Sequence, residues 1–194
     1  VHTPADYVRL AFDSSHEDFI EFRLDTAPPP HVIGRGSVRR KGGTVVEDRI
    51  VGVGKLVEDI TEEDVLAVMA ADDAFGLQLR LLDRFGDNGV IAIIIGRMLA
   101  ERDCHIDTWL MSCRVLGRQV EPTTLNLIAE QAQKLGAKRL VGEYIPSKKN
   151  GMVKDHYARL GFDVEMRNED GGSRNLLDLA TFQPADTFIR ITRA

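Results

Sequence analysis

In the run Arg114-Val115-Leu116-Gly117-Arg118, two arginines flank a glycine just ahead of Pro122. Proline suits the first turn of a helix, because its missing N–H has no intrahelical partner there. The chemistry this implies is the binding of a small anion. A turn that feeds a helix leaves N–H groups unpaired at the positive end of the helix dipole, and Arg114 and Arg118 add charge beside them. Solvated loop charges would give the same residues without a ligand.

The elements that must position this loop lie on either side of it. Ile106 to Ser112 is apolar at most positions and carries Thr, Trp and Ile, which predicts a buried strand. After Pro122, Leu125, Ile128, Ala129, Ala132 and Leu135 recur at helical spacing and make one apolar face. Gly136 stands where a helix ends in a left-handed residue. Arg139 to Ile145 reads as a second strand. The strand–helix–strand order implies a parallel pair with a right-handed crossover. A further helix ends in Tyr157-Ala158-Arg159-Leu160-Gly161-Phe162.

These residues carry a resemblance. Arg-x-x-Gly before a helix, Asn150 ahead of Tyr157, and Tyr-x-x-x-Gly-Phe together resemble the GNAT acyltransferase superfamily. Three longer phrases are more specific: DRFGDNG (Asp83 to Gly89), IDTWLMSCRVLGR (Ile106 to Arg118) and GEYIPSKKNGMVKDHYARLGF (Gly142 to Phe162). They look like the C-terminal domain of FkbH-like proteins of polyketide pathways, over roughly Thr61 to Arg190. In those proteins a separate HAD-type domain loads a glyceryl unit onto an acyl carrier protein. The chain has no HAD-type Asp-x-Asp motif, so that activity does not carry over. The resemblance implies an α/β fold: a GNAT-like mixed central sheet with a splayed parallel strand pair, flanked by helices, here in residues 59–194. Residues 1–58 would be a β-rich N-terminal extension outside the resemblance.

The resemblance also implies roles. The donor would be an acyl thioester of coenzyme A or of a carrier-protein phosphopantetheine. Ser112, Arg114, Leu116, Gly117, Arg118, Gln119 and Val120 would cradle its phosphates, largely through backbone N–H groups. GNAT loops usually carry Gly or Ala where this chain has Gln119, whose side chain would crowd the pyrophosphate. Asn150 would contact the pantetheine arm or cap a helix. Tyr157 matches the tyrosine that in many GNAT enzymes protonates the leaving thiolate, a task that suits a phenol; packing alone is its other reading. Glu143 and Asp107 lie on the two strands that would splay, and either could act as general base through water. A salt bridge to Arg139 or Lys154 would equally explain a charge there.

Other residues have blander readings. His156 would point about 100° from Tyr157 around a helix and face solvent. Cys113 could be an acyl-accepting nucleophile beside a basic loop, but reads more simply as a small buried side chain. Trp109 shares a strand face with Asp107 and Met111 and belongs to the core or an acceptor pocket wall. Lys148, Lys149, Lys154 and Arg159 make a basic patch on which an acidic carrier protein could land, or simply a solvated face. Asp83 to Gly89 is a hairpin turn that an acceptor or a neighbouring domain could also use.

Bulk properties fit this picture. The chain has 194 residues, 43% hydrophobic and 28% charged, with a net charge of −5. That suits an ordinary globular core and gives no reason to expect a nucleic-acid partner. The apolar run Val90 to Ile95 is too short to span a bilayer. Two cysteines, Cys104 and Cys113, match no metal pattern and suit a reducing, cytoplasmic setting.

The remaining segments predict a helix from Thr61 to about Ala71 and an antiparallel pair over Leu77 to Leu82 and Val90 to Met98, joined by a turn at Gly86 to Gly89. Strands follow Phe162 and span Asn175 to Leu179, with a Gly-rich turn between. Phe188 to Ile191 is a short strand or tail. Upstream, Tyr7 to Phe12 and Phe19 to Leu24 are strands or one uneven helix. His31 to Arg39 and Thr44 to Leu56 form a hairpin about Lys41-Gly42-Gly43 that packs on or extends the sheet, or makes a small subdomain of its own. A non-catalytic module that recognises a carrier protein or its pantetheine arm is the rival to an enzyme. A structural dimerisation domain has no positive support.

Overall fold

The computed structural model describes residues 8–12, 20–23, 38–41, 44–47, 50–52, 68, 71–83, 86–148 and 150–193. Its centre is a mixed sheet built outward from one long hairpin. β6 (Ala74–Asp83) and β7 (Gly86–Met98) run antiparallel, as the apolar pattern predicts. Their side chains alternate between faces. Leu77 pairs with Ile94 and Leu79 with Ala92, and all four are buried. Asp83 pairs with Gly86, so Gly86 to Gly89 is not the expected turn. The glycine run lies inside β7 instead. Gly89, at φ 71°, sits where the register shifts opposite Leu81 and Leu82, an irregularity that glycine tolerates.

β8 (Asp103–Ser112) lies antiparallel to β7 and carries the feature that shapes the molecule. Gly96 faces Ile106 and Ile95 faces Thr108, so Asp107 is the extra residue of a bulge in the register. This bulge changes which residues share a face. Cys104 and Ile106 point to the core before it, and Trp109 and Met111 point there after it. Without the bulge the odd step from Ile106 to Trp109 would place them on opposite faces.

α1 (Val120–Lys134) crosses from β8 to β9 (Arg139–Tyr144), and the two strands run parallel. Leu125, Leu127, Ile128, Ala129 and Ala132 are buried, close to the expected stripe. Each of the larger side chains contributes roughly 1.5–3 kcal/mol by leaving water. Gly136 closes the helix at φ 83°, as predicted. The parallel pair holds for four rungs, from Asp103–Arg139 to Ile106–Gly142, and then parts. It parts at the bulge, where a strand bends and twists. Arg139 grips Asp103 at the closed end through bonds of 2.7 and 2.9 Å.

Beyond β9 the sheet adds β11 (Ser173–Asp178) and β10 (Asp163–Arg167), both antiparallel to their neighbours. One helical turn, α2 (His156–Arg159), precedes β10. On the far side, β1 (Val8–Phe12), β2 (Ile20–Arg23) and β12 (Ile189–Arg193) extend the sheet past β6. β3 (Val38–Lys41) and β4 (Thr44–Glu47) pair antiparallel as the expected hairpin, in a sheet of their own. β5 (Ile50–Gly52) pairs with Leu110 to Ser112 of β8. The predicted helix from Thr61 to Ala71 lies mostly outside the described residues. Val68 within it is helical and buried, with Gly76 of β6 beneath it.

Candidate acyl-thioester site

Ser112 ends β8, and a tight turn over Cys113 to Val115 leads into the basic loop. Arg114 Nε donates to Ser112 Oγ at 3.3 Å. Gly117 takes φ 75° and Gln119 takes φ 63°, so both are left-handed. That conformation costs a non-glycine residue roughly 1–2 kcal/mol. Gln119 offsets it with hydrogen bonds. Its carbonyl oxygen accepts from Thr123 Oγ1 at 2.8 Å, and its side-chain oxygen accepts from the Phe188 N–H at 3.1 Å. The side chain expected to crowd a pyrophosphate is thus tethered to the C-terminal segment. Thr123 and Asn126 hold the same segment, at Thr187 and Ala185.

The loop amide of Gly117 has an oxyanion on it already. It donates to Glu121 Oε1 at 2.6 Å. A carboxylate in the first turn is favoured by the helix dipole. Here it bends back four residues to accept from the loop amide. Leu116 and Val120 frame this turn, and Val120 is wholly buried.

A second group of residues meets at the point where β8 and β9 part. The Tyr157 ring lies flat over Gly142, the last residue of the parallel pairing. A Cβ at Gly142 would come within 2.3 Å of the ring. Trp109 of β8, His156, Tyr157 and Phe162 pack ring against ring. The Trp109–His156 centroids are 4.4 Å apart and nearly perpendicular, His156–Tyr157 5.3 Å and Tyr157–Phe162 5.0 Å. Such arrangements suit the ring quadrupoles. His156, expected at the surface, is only 7% exposed. Its ring packs edge-on against Trp109 of β8 rather than facing solvent.

Three polar atoms in this cluster, Trp109 Nε1, His156 Nε2 and Tyr157 Oη, are buried without a hydrogen-bond partner among the described residues. Burial, with Arg159 nearby, lowers the His156 pKa to about 4, so its imidazole is neutral at pH 7. Burial, helped by the charge on Glu143, pushes the Tyr157 phenol well above its ordinary value and keeps it protonated.

The two carboxylates are placed differently. Asp107 is the bulge residue, and it accepts from Thr108 Oγ1 at 3.3 Å. Glu143 follows Gly142 on β9, so it points to the opposite face from Tyr157. Its partner is neither Arg139 nor Lys154. Arg174, its neighbour across β11, holds it at 3.0 Å and reaches Glu165 at 2.7 Å, while His105 approaches at 3.7 Å. Asn150 is buried and neither caps the turn after it nor stands open. It accepts from the Ser147 N–H and Tyr144 Oη and donates to the Ile145 carbonyl, which pins the chain leaving β9.

The structure therefore brings Tyr157 to the split and the loop to the N-terminus of α1, and it places Glu143 on the other face. Sequence reasoning passed over Glu121 and His156. Glu121 was legible as an acid in a first helical turn. His156, expected in solvent, owes its burial to packing against Trp109, distant in sequence. Cys113 is half-buried; the Cys104 thiol is fully buried and pushed up to about 12 by desolvation. Among the described residues no group of three His, Cys, Asp or Glu could hold a metal ion, and no helix is long and apolar enough to cross a membrane.

No protein-family model and no curated protein matches the chain. Solved structures do. A protein from Desulfovibrio desulfuricans described as an acetyltransferase of the GNAT family matches with a TM-score of 0.50 at 13% identity, over 61% of this chain and 77% of its own. The PaiA N-acetyltransferase of Thermoplasma acidophilum, solved with coenzyme A, has a TM-score of 0.48 at 16% identity, over 61% of this chain and 71% of its own. The GNAT domain of S. lividans PAT has a TM-score of 0.46 at 23% identity, over 61% of this chain and 69% of its own. At these identities the likeness is one of fold, and the mixed sheet with its splayed parallel pair is the GNAT fold.

Proposed function

We propose that the chain is an acyltransferase that takes an acyl group from a thioester donor, either coenzyme A or a carrier-protein phosphopantetheine. One observation carries the reading: the parallel pair parts after Ile106 and Gly142, and the strand that continues runs straight into the Arg114–Arg118 loop and the start of α1. A split sheet offers main-chain groups to the amides of a pantetheine arm. The loop offers N–H groups and positive charge to the phosphates at the arm's other end. The bond from the Gly117 N–H to Glu121 supports this, because it presents an amide that accepts an oxyanion.

In this reading Ser112, Arg114, Leu116, Gly117, Arg118, Gln119 and Val120 hold the phosphates, with Asn150 fixing the loop beside the arm. Tyr157 protonates the leaving thiolate. Residues 59–194 form the acyltransferase unit and residues 1–58 an N-terminal extension. The FkbH-like phrases favour a cytoplasmic role in polyketide or related biosynthesis.

Calorimetric titration with coenzyme A and acetyl-coenzyme A tests the donor site. Micromolar binding is expected, with loss of at least tenfold in Arg114→Ala/Arg118→Ala. Wild-type chain that binds neither thiol nor thioester refutes it. One observation favours a second reading, a non-catalytic module that recognises a carrier protein: the Gly117 amide and part of the β8 edge are already bonded within the chain. Binding of a phosphopantetheinylated carrier protein without thioester cleavage would select it.

A further inference from the structure

We propose that His156 is the general base of this acyl transfer and forms, with Tyr157, a self-contained proton-transfer pair. The inference rests on the acyltransferase reading and adds to it a residue, and a direction for each proton, that the reading lacks.

Tyr157 covers the face of Gly142, and alternation puts Glu143 on the other. Glu143 is also engaged by Arg174 and His105. A base must reach the same reacting centre as the acid. Asp107 is the bulge residue and is hydrogen-bonded to Thr108. His156 lies on the Tyr157 side. Its ring is 5.3 Å from that of Tyr157 and 4.4 Å from that of Trp109, and its Nε2 is buried without a partner among the described residues.

A buried polar atom left unpaired costs about 1–3 kcal/mol. Three such atoms in one cluster, on Trp109, His156 and Tyr157, are what a polar reacting group or a bridging water would satisfy. Their capacities differ usefully. The Trp109 N–H can only donate, the Tyr157 hydroxyl donates or accepts, and a neutral imidazole accepts at Nε2 when its proton is on Nδ1.

The step balances as follows. The acceptor's N–H or O–H approaches the thioester carbonyl carbon, and His156 Nε2 takes its proton as the new bond to carbon forms. The carbon–sulfur bond breaks, and its electron pair leaves with sulfur. Sulfur receives the phenolic proton of Tyr157. The proton on His156 then returns to the Tyr157 phenolate through one bridging water, since the two atoms are not hydrogen-bonded to each other. The net change is thioester plus acceptor to acylated acceptor plus free thiol, with both side chains restored.

The test uses the full chain, acetyl-coenzyme A, and colorimetric detection of free thiol, with water or a panel of primary amines and alcohols as acceptor. His156→Gln should lower kcat by roughly 10²–10⁴-fold, with the calorimetric Kd for coenzyme A within twofold of wild type. His156→Ala, which leaves a ring-sized space, should recover at least tenfold in rate with added imidazole, saturably. Tyr157→Phe should lower kcat without any imidazole response. A His156→Gln rate within threefold of wild type overturns the inference. So does a His156→Ala chain that keeps its coenzyme A affinity but ignores imidazole. Wild-type chain that binds coenzyme A yet releases thiol no faster than buffer, with water or any acceptor, overturns the proton-transfer pair and leaves the donor site standing. Wild-type chain that binds no coenzyme A overturns the acyltransferase reading itself.

Discussion

Gly142→Ala is the most direct test of the geometry at the split. The added methyl would lie 2.3 Å from Tyr157 Cε1, 2.5 Å from Cζ and 2.7 Å from Cδ1. Ordinary contact begins near 3.4 Å, so the ring must move by about 1 Å. The ring cannot yield freely, because Phe162 and His156 pack on it. Overpacking of this kind costs about 1–3 kcal/mol. In a chain of this size each kcal/mol lowers Tm by roughly 2–4 °C. Thermal unfolding followed by circular dichroism should therefore show a fall of about 2–12 °C. Tyr157→Ala alone should cost more, about 3–5 kcal/mol, by leaving a cavity. Together the two should be non-additive by at least about 1 kcal/mol, since the methyl then has room. Coenzyme A affinity should survive Gly142→Ala, because the loop is untouched. A Gly142→Ala chain with unchanged Tm, or a double variant additive within about 0.5 kcal/mol, would refute the placement of Tyr157 and everything built on it.

Two further outcomes follow from the same contacts. Glu121→Ala frees the Gly117 amide from its internal carboxylate; an exposed charge-assisted bond of about 1 kcal/mol then translates into roughly fivefold tighter coenzyme A by calorimetry, and weaker binding would contradict the loop as the phosphate site. His156 sets an acid limb. Its folded pKa, about 4, lies below the unfolded 6.5, so its contribution is complete above pH 6.5 and is lost as pH falls toward 4, by up to about 1.4 kcal/mol per pH unit. Urea midpoints at pH 7 and pH 4.5 should converge in His156→Gln, and an unchanged pH dependence would show that His156 is not buried as a neutral ring.

Much of this architecture is legible in the residues because local signals and global fold agree. The stripe from Leu125 to Ala132, Pro122 at one end and Gly136 at the other define α1 without reference to anything distant. The strands β6, β7, β8 and β9 announce themselves by apolar runs. What escaped depends on register. The bulge at Asp107 has no composition signal, because aspartate there looks like one more alternating position. Reading the strand as regular put Asp107, Trp109 and Met111 on one face, whereas the bulge sets Asp107 apart from the buried pair. The glycines from Gly86 to Gly89 signalled a turn, but they serve an irregular stretch of β7. His156 looked exposed because its burial comes from packing against Trp109 of β8, a contact that local periodicity cannot show.

The bulge also accounts for how the sheet manages its own opening. Once β9 turns away, the outer edge of β8 from Asp107 onward would leave main-chain N–H and C=O groups without partners, at a cost the fold cannot ignore. β5 takes Leu110 to Ser112, the end nearest the loop. Glu121 takes the Gly117 amide just beyond. Asp107 to Trp109 lies between the last β9 rung and the first β5 rung. If the proposed donor site holds, a pantetheine arm entering from the loop would exchange protein partners for its own amides at Leu110 to Ser112. On this argument donor affinity is a difference between two sets of similar hydrogen bonds. In the proposed reading the polar atoms of Trp109, His156 and Tyr157 that lack a partner among the described residues serve the reacting group rather than the phosphates, so their loss should slow turnover and spare coenzyme A affinity.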